Sequence, residues 1–295
     1  MRALESAGAR VVAAMPFVFV LLWSTGFIVA KYAAPHAPPL TFLLWRFAGV
    51  VLVVLPVVIL MRAPWPRTPL VWLQVAVAGV LLQAIYLGGV WFAIAQGMPA
   101  GVSALLVGVQ PVLTAVFAGT VGERVTPRQW LGLALGLAGV ALVLSDRLTL
   151  QGVSALAIAV NLLALLGITA GTLYQKRFGA AVDLRTGTVI QFSASFIVLL
   201  PLAATLESLQ FDPAASFWWA LAWSIFGLSL AAMLLLLIMI RRGRATQVAS
   251  LMYLTPPATS VLAWWLFDER LGTAAWAGVL VTMIGVALVV QRRRA

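Results

Sequence analysis

Polar and aromatic side chains that could hold a small molecule recur at helical spacing through an otherwise apolar chain of 295 residues. Gln83 and Tyr86 lie three residues apart and so share a helix face. Ser103, Gln110 and Thr114 form a second stripe together with Val107. Trp23, Ser24 and Thr25 interrupt one apolar run, and Asn161, Thr169, Thr172 and Tyr174 interrupt another. Two cations, Lys31 and Arg46, fall inside or beside apolar runs where no acid does. A buried amide without a partner is costly, and polar groups at membrane depth face the interior of a bundle. The chemistry these residues offer is recognition: amide and hydroxyl hydrogen bonds, aromatic contact and a positive charge for a carboxylate. Serine and threonine in membrane helices also bond their own backbone or join helices, so the amides and Tyr86 carry most of the expectation.

Other chemistries are excluded by composition. The chain has no cysteine and one histidine, His36, which removes disulfide frameworks, thiolate catalysis and His-rich metal sites. Its eight acids, Glu5, Glu123, Asp146, Asp183, Glu207, Asp212, Asp268 and Glu269, all fall in loops, termini or helix ends. An intramembrane aspartate dyad or carboxylate proton relay would place one at mid-membrane. No cofactor or metal is expected. The net charge of +11 would suggest nucleic acid in a soluble protein. Here the basic residues sit in short clusters between apolar runs, as the positive-inside pattern requires, so the expected partners are lipid and a small-molecule substrate.

The elements that must position these residues are membrane helices. Hydrophobic residues make up 63% of the chain and charged residues 9%, against about 25% charged in soluble domains. Apolar runs long enough to cross a bilayer predict ten helices: Pro16–Ala33, Pro39–Met61, Leu70–Ala95, Pro99–Val121, Arg128–Ser145, Gly152–Gln175, Leu184–Leu206, Phe217–Ile240, Thr246–Phe267 and Thr273–Val290. With the N-terminus in the cytoplasm, fifteen Lys and Arg residues fall on inside segments. Only Lys31, Arg147 and Arg270 fall outside, and Arg46 lies within the second helix. Both termini are then cytoplasmic, and the first apolar run reads as a helix rather than a cleaved leader.

The chain also repeats itself. A shift of 146 residues carries Pro111, Glu123, Arg124, Trp130, Gly132, Gly139 and Val140 onto Pro257, Glu269, Arg270, Trp276, Gly278, Gly285 and Val286. A shift of 145 carries Gly26, Lys31, Thr41 and Phe47 onto Gly171, Lys176, Thr186 and Phe192. Residues 1–147 and 148–295 are thus read as two five-helix units, and an odd number of helices inverts the second. The expected fold class is an all-α membrane protein of ten transmembrane helices in two inverted repeats, with the substrate site near the midplane where the halves meet. In the ninth helix the repeat-related stripe is Tyr253, Pro256 and Ser260. Pro111, Pro256 and Pro257 break the backbone ladder, either as static kinks or as bends that shape a cavity and let the halves rock. Gly132, Gly136 and Gly139 form a small-residue face for packing within the chain or for a dimer contact, leaving monomer or homodimer open.

Trp23-Ser24-Thr25-Gly26-Phe27, Trp45-Arg46-Phe47 and the duplicated block from Pro111 through Glu123 to Gly139 resemble the EamA family of the drug/metabolite transporter superfamily. Within it, the chain is most similar overall to YddG-type aromatic amino-acid exporters. The resemblance covers essentially the whole chain. It implies export of small metabolites through a central cavity, with the fifth and tenth helices peripheral, in the inner membrane of a bacterium. Lys31 and Arg46 suit a carboxylate near the outer exit, or else snorkel to the headgroups. The substrate expected is a neutral or zwitterionic amphipathic metabolite such as an amino acid, moved by alternating access. The competing expectation is a proton-coupled exporter of amphipathic or cationic drugs; a channel and a membrane-embedded enzyme fit the residues less well.

Overall fold

The computed structural model describes residues 2–98, 100–145, 153–179, 181–242, 245–267 and 272–290. These residues form helices and connections, with no strand among them. In chain order the helices are α1 (Arg2–Ala33), α2 (Pro39–Leu60), α3 (Pro69–Ala95), α4 (Ala100–Val107) and α5 (Gln110–Val116). There follow α6 (Pro127–Leu144), α7 (Ala155–Phe178), α8 (Leu184–Leu206), α9 (Ala215–Arg242), α10 (Ala245–Ser250), α11 (Thr255–Phe267) and α12 (Thr273–Val290). Seven of them, α2, α3, α6, α7, α8, α9 and α12, are long and apolar enough to cross a membrane. Shorter apolar stretches, Ala14–Gly26 of α1 and Val102–Val116 across α4 and α5, accompany them.

Where the ladder breaks, proline explains the break. Pro111 has no N–H for the carbonyl four residues back, which is Val107, and α4 ends there. The chain restarts as α5 with Pro111 in its first turn, where the missing donor is not needed. In the second half, the turn Leu251–Leu254 tightens to 3-10 geometry immediately before Pro256 and Pro257 open α11. The fourth and ninth helices of the sequence reading are therefore each two pieces. Starts elsewhere are capped by side chains: Thr68 for α3, Ser154 for α7, Asp183 for α8, and a reciprocal Thr126–Gln129 box for α6.

α2 lacks a cap of its own, since Pro38 precedes it. The Glu207 carboxylate, at the end of α8, supplies one. It accepts from the Leu40 N–H at 2.9 Å, the Thr41 N–H at 2.7 Å and the Thr41 hydroxyl at 2.7 Å.

α6 and α12 pack along their whole length, and α2 packs on α8. The first pairing is made by glycine. A Cβ at Gly132 would lie 2.6 Å from the Gly285 carbonyl, and one at Gly285 would lie 2.6 Å from the Gly132 carbonyl. Gly139 and Gly278 oppose each other in the same way, at 2.8 and 2.6 Å. The earlier glycine of one helix meets the later glycine of the other, so the two run antiparallel with backbones touching. This small-residue face is used within the chain, for packing. Two apolar cores flank the arrangement. One is built on α2, α8 and the first half of α9, the other on α1, α6, the second half of α9 and α12.

Two stretches depart from α geometry in a related way. α3 is π-helical over Val80–Ile85, and α9 over Ser224–Ala232. Shifting the first by the 146-residue repeat interval places it inside the second. Widening the turn in this way re-aims side chains and is common at functional sites.

Candidate substrate site

The side chains that converge come from α1, α2, α3 and α9. Arg46, about two turns into α2, is 5% exposed, and its Nε donates to the Ser229 hydroxyl of the α9 π segment at 2.7 Å. No carboxylate pairs with it among the described residues. Tyr86 of α3 interacts with both the Trp23 side chain of α1 and the Arg46 charge. Trp23 and Tyr86 remain partly accessible although both pack against the second apolar core. Trp23 also leans on Phe19, with ring centres 5.2 Å apart.

Gln83 lies one turn before Tyr86, within the π segment of α3, and is buried with no hydrogen bond to any described residue. Gln110, at the start of α5, donates from Nε2 to the Thr114 hydroxyl at 3.0 Å. Its Oε1 is buried without a partner among the described residues. An unmade bond at a buried amide costs about 1–3 kcal/mol, so Gln110 is poised for a further partner. The Tyr253 hydroxyl is in the same condition, while its ring fills the notch left by Gly136 of α6.

Other predicted residues have partners within the protein. The Ser103 hydroxyl donates to Asn161 Oδ1 at 2.8 Å and the Asn161 amide returns a bond to the Ser103 carbonyl, so this pair ties α4 to α7. Ser24 donates to the Val20 carbonyl at 2.6 Å, and its own carbonyl accepts from the Thr259 hydroxyl at 3.2 Å, joining α1 to α11. Thr169 and Thr172 likewise bond carbonyls of their own helix. The Tyr174 ring packs at a tilt on Phe178, with ring centres 4.6 Å apart. The side chains of Lys31 and Ser260 lie outside the described residues.

Two polar groups were not singled out by the sequence. Ser229 is one; the repeat interval that relates the halves carries Gln83 onto it. The other is the buried Gln191–Gln175 pair, Nε2 to Oε1 at 2.9 Å, with Gln191 Oε1 unpartnered among the described residues. Gln191 occupies the place of Arg46 under the 145-residue shift, and its backbone touches α3 at Gly79.

His36 acquires neighbours that its isolated position in a loop did not suggest. Its Nδ1 lies 2.9 Å from Asp212 Oδ2, its Nε2 lies 2.6 Å from the Ser216 hydroxyl, and its carbonyl accepts the Asp212 N–H at 2.7 Å. The row has the order of a hydrolytic serine–histidine–aspartate relay, in which the carboxylate is buried. Here the Asp212 side chain is 62% exposed. The row staples the connection before α2 to the start of α9.

A helical bundle with seven helices long and apolar enough to cross a membrane, and with polar side chains buried inside it, defines a polytopic membrane protein. The chain belongs to the EamA-like transporter family, whose model matches residues 11–145 and again residues 155–291. It is 27% identical over 276 residues to the uncharacterized inner membrane transporter YedA of Escherichia coli, covering 92% of this chain and 88% of that one. It is also 27% identical over 281 residues to the uncharacterized transporter YvbV of Bacillus subtilis, covering 94% and 90%. A probable amino-acid metabolite efflux pump of Escherichia coli is 26% identical over 284 residues, covering 92% of each. A crystal structure of a protein 20% identical in sequence superimposes with a TM-score of 0.80, covering 94% of this chain and 96% of that one. It establishes likeness of fold alone.

Proposed function

We propose that this transporter exports small neutral or zwitterionic metabolites, amino acids with aromatic side chains among them, through a central cavity by alternating access. It does so as ten spans in two inverted five-helix repeats, residues 1–147 and 148–295, in a bacterial inner membrane with both termini cytoplasmic. Support for the inversion comes from the reversed-order glycine pairing of α6 and α12 and from the repeat-related π segments. The amino-acid reading is supported by one similar protein being named a probable amino-acid metabolite efflux pump.

One observation carries the substrate reading. A guanidinium buried away from water without a carboxylate is a large uncompensated cost, and at membrane depth such a charge marks a solute pathway. Arg46 is in that position near Tyr86, which in turn meets the Trp23 side chain. A solute bringing its own carboxylate and a flat apolar group satisfies both. Gln83, Gln110 and Tyr253 supply the remaining polar contacts. The drug-exporter reading wants a buried acid to hold a cation, and no carboxylate is fully buried among the described residues.

Counterflow in proteoliposomes tests the proposal. Vesicles loaded with unlabelled phenylalanine should accumulate labelled phenylalanine, and Arg46→Gln should abolish the accumulation. Uptake of a labelled quaternary amine with no phenylalanine exchange would overturn the substrate reading.

A further inference from the structure

We infer that Ser229 is a positioning residue that fixes the Arg46 guanidinium so that its Nη1/Nη2 edge receives a solute carboxylate end-on. The inference rests on the substrate reading above and specifies how the solute is gripped.

A guanidinium presents five N–H donors in a rigid plane and can hold a carboxylate through two parallel bonds along an edge. The edge is made either by Nε with one Nη or by the two Nη groups. Ser229 occupies Nε at 2.7 Å. The Nη groups make no hydrogen bond to a described residue, and neither is among the fully enclosed unpartnered atoms. They therefore keep some accessible surface and free donors. Blocking the Nε edge leaves the end-on approach.

The placement of Ser229 depends on the π segment. Arg46 and Ser229 belong to different halves and meet where the turn of α9 is widened. At the repeat-related place in α3 stands Gln83, and at the place of Arg46 stands Gln191, which is uncharged and bonded to Gln175. The clasp is thus built on one side of the molecule only. Two equivalent cations would suit a dicarboxylate or have no preference for orientation. One cation, held by one hydroxyl, selects a solute with a single carboxylate and orients it with that group toward α2 and α9.

The experiment compares phenylalanine with phenylalanine amide in proteoliposome exchange, using wild type, Ser229→Ala, Ser229→Thr and Arg46→Lys. The acid and amide differ at the group the clasp holds. Wild type should have a markedly lower KM for the acid. Ser229→Ala should raise that KM about 3- to 10-fold, the worth of one net hydrogen bond, and the KM for the amide by a clearly smaller factor. Ser229→Thr, which keeps the hydroxyl, should restore the acid KM. Arg46→Lys, which keeps charge and loses the fork, should remove most of the discrimination. An acid preference that Ser229→Ala leaves intact, or a change equal for acid and amide, overturns the positioning role and leaves the substrate reading standing. Wild type that exchanges acid and amide alike, or neither, removes both.

Discussion

The Glu207 cap on α2 gives the most direct energetic prediction. α2 begins after Pro38 with no side-chain cap of its own, and it carries Arg46. Its first turn is closed by a carboxylate from α8 through three bonds of 2.7 to 2.9 Å. Losing a helix cap costs about 0.5–2 kcal/mol. The interaction of a negative charge with the helix N-terminus adds about 0.3–1 kcal/mol, and the bond from the Thr41 hydroxyl about 0.5–1.5 kcal/mol. Because the three share one carboxylate they do not add fully. Glu207→Ala should therefore destabilise the protein by about 1–3 kcal/mol, and Glu207→Gln, which keeps one acceptor oxygen, by about half as much. Thr41→Val should cost about 1 kcal/mol alone and much less in the Glu207→Ala background, since its partner is already gone. Denaturant unfolding in detergent micelles measures all four variants, with the exposed Gln210→Ala as a control. A Glu207→Ala variant as stable as that control would show that water caps α2 as well as the carboxylate does.

Three further outcomes are expected. Gly139→Leu should force α6 from α12 and cost about 1–3 kcal/mol, read as a lower unfolding midpoint in the same micelles. Gln83→Leu and Gln110→Leu should each weaken counterflow while membrane insertion, followed by fractionation, is unchanged; full transport in both would place the solute elsewhere. Asp183 caps α8 and is hydrogen-bonded to Arg185, which holds its carboxyl below the usual carboxylate range. A lowered folded-state pKa contributes stability that is present at neutral pH and lost as pH falls through that lowered value. Wild type should then exceed Asp183→Asn in stability at pH 7, with the gap closing as the medium is acidified; a gap independent of pH would contradict the linkage.

Much of the architecture was legible because its causes are local. Leu184–Leu206 and Thr273–Val290 are bounded as their apolar runs predict. Pro111, Pro256 and Pro257 break helices for the reason proline always does. The glycines at 132 and 139 were visible as a face, though only the structure shows that 278 and 285 cover it. The candidate site was less legible. Arg46, Gln83, Tyr86 and Gln110 stood out because their side chains are expensive in an apolar run. Ser229 did not, since a serine in a membrane helix has many ordinary uses and its value here comes from a widened turn that no residue pattern encodes. For Ser103 and Ser24, spacing could not reveal that their hydroxyls bond Asn161 and the backbone.

The glycine seam has a consequence for how the protein is made. α6 is complete at Leu144, but the helix that covers it begins at Thr273. At about 5–20 residues per second the ribosome needs roughly 6 to 26 seconds to synthesise those about 130 residues. Throughout that interval a bare backbone groove waits in the lipid. A second nascent chain at the same stage presents an identical groove. Polysome density and the crowding of insertion sites therefore set how often the wrong α6 arrives first, so yield should improve when translation is initiated sparsely.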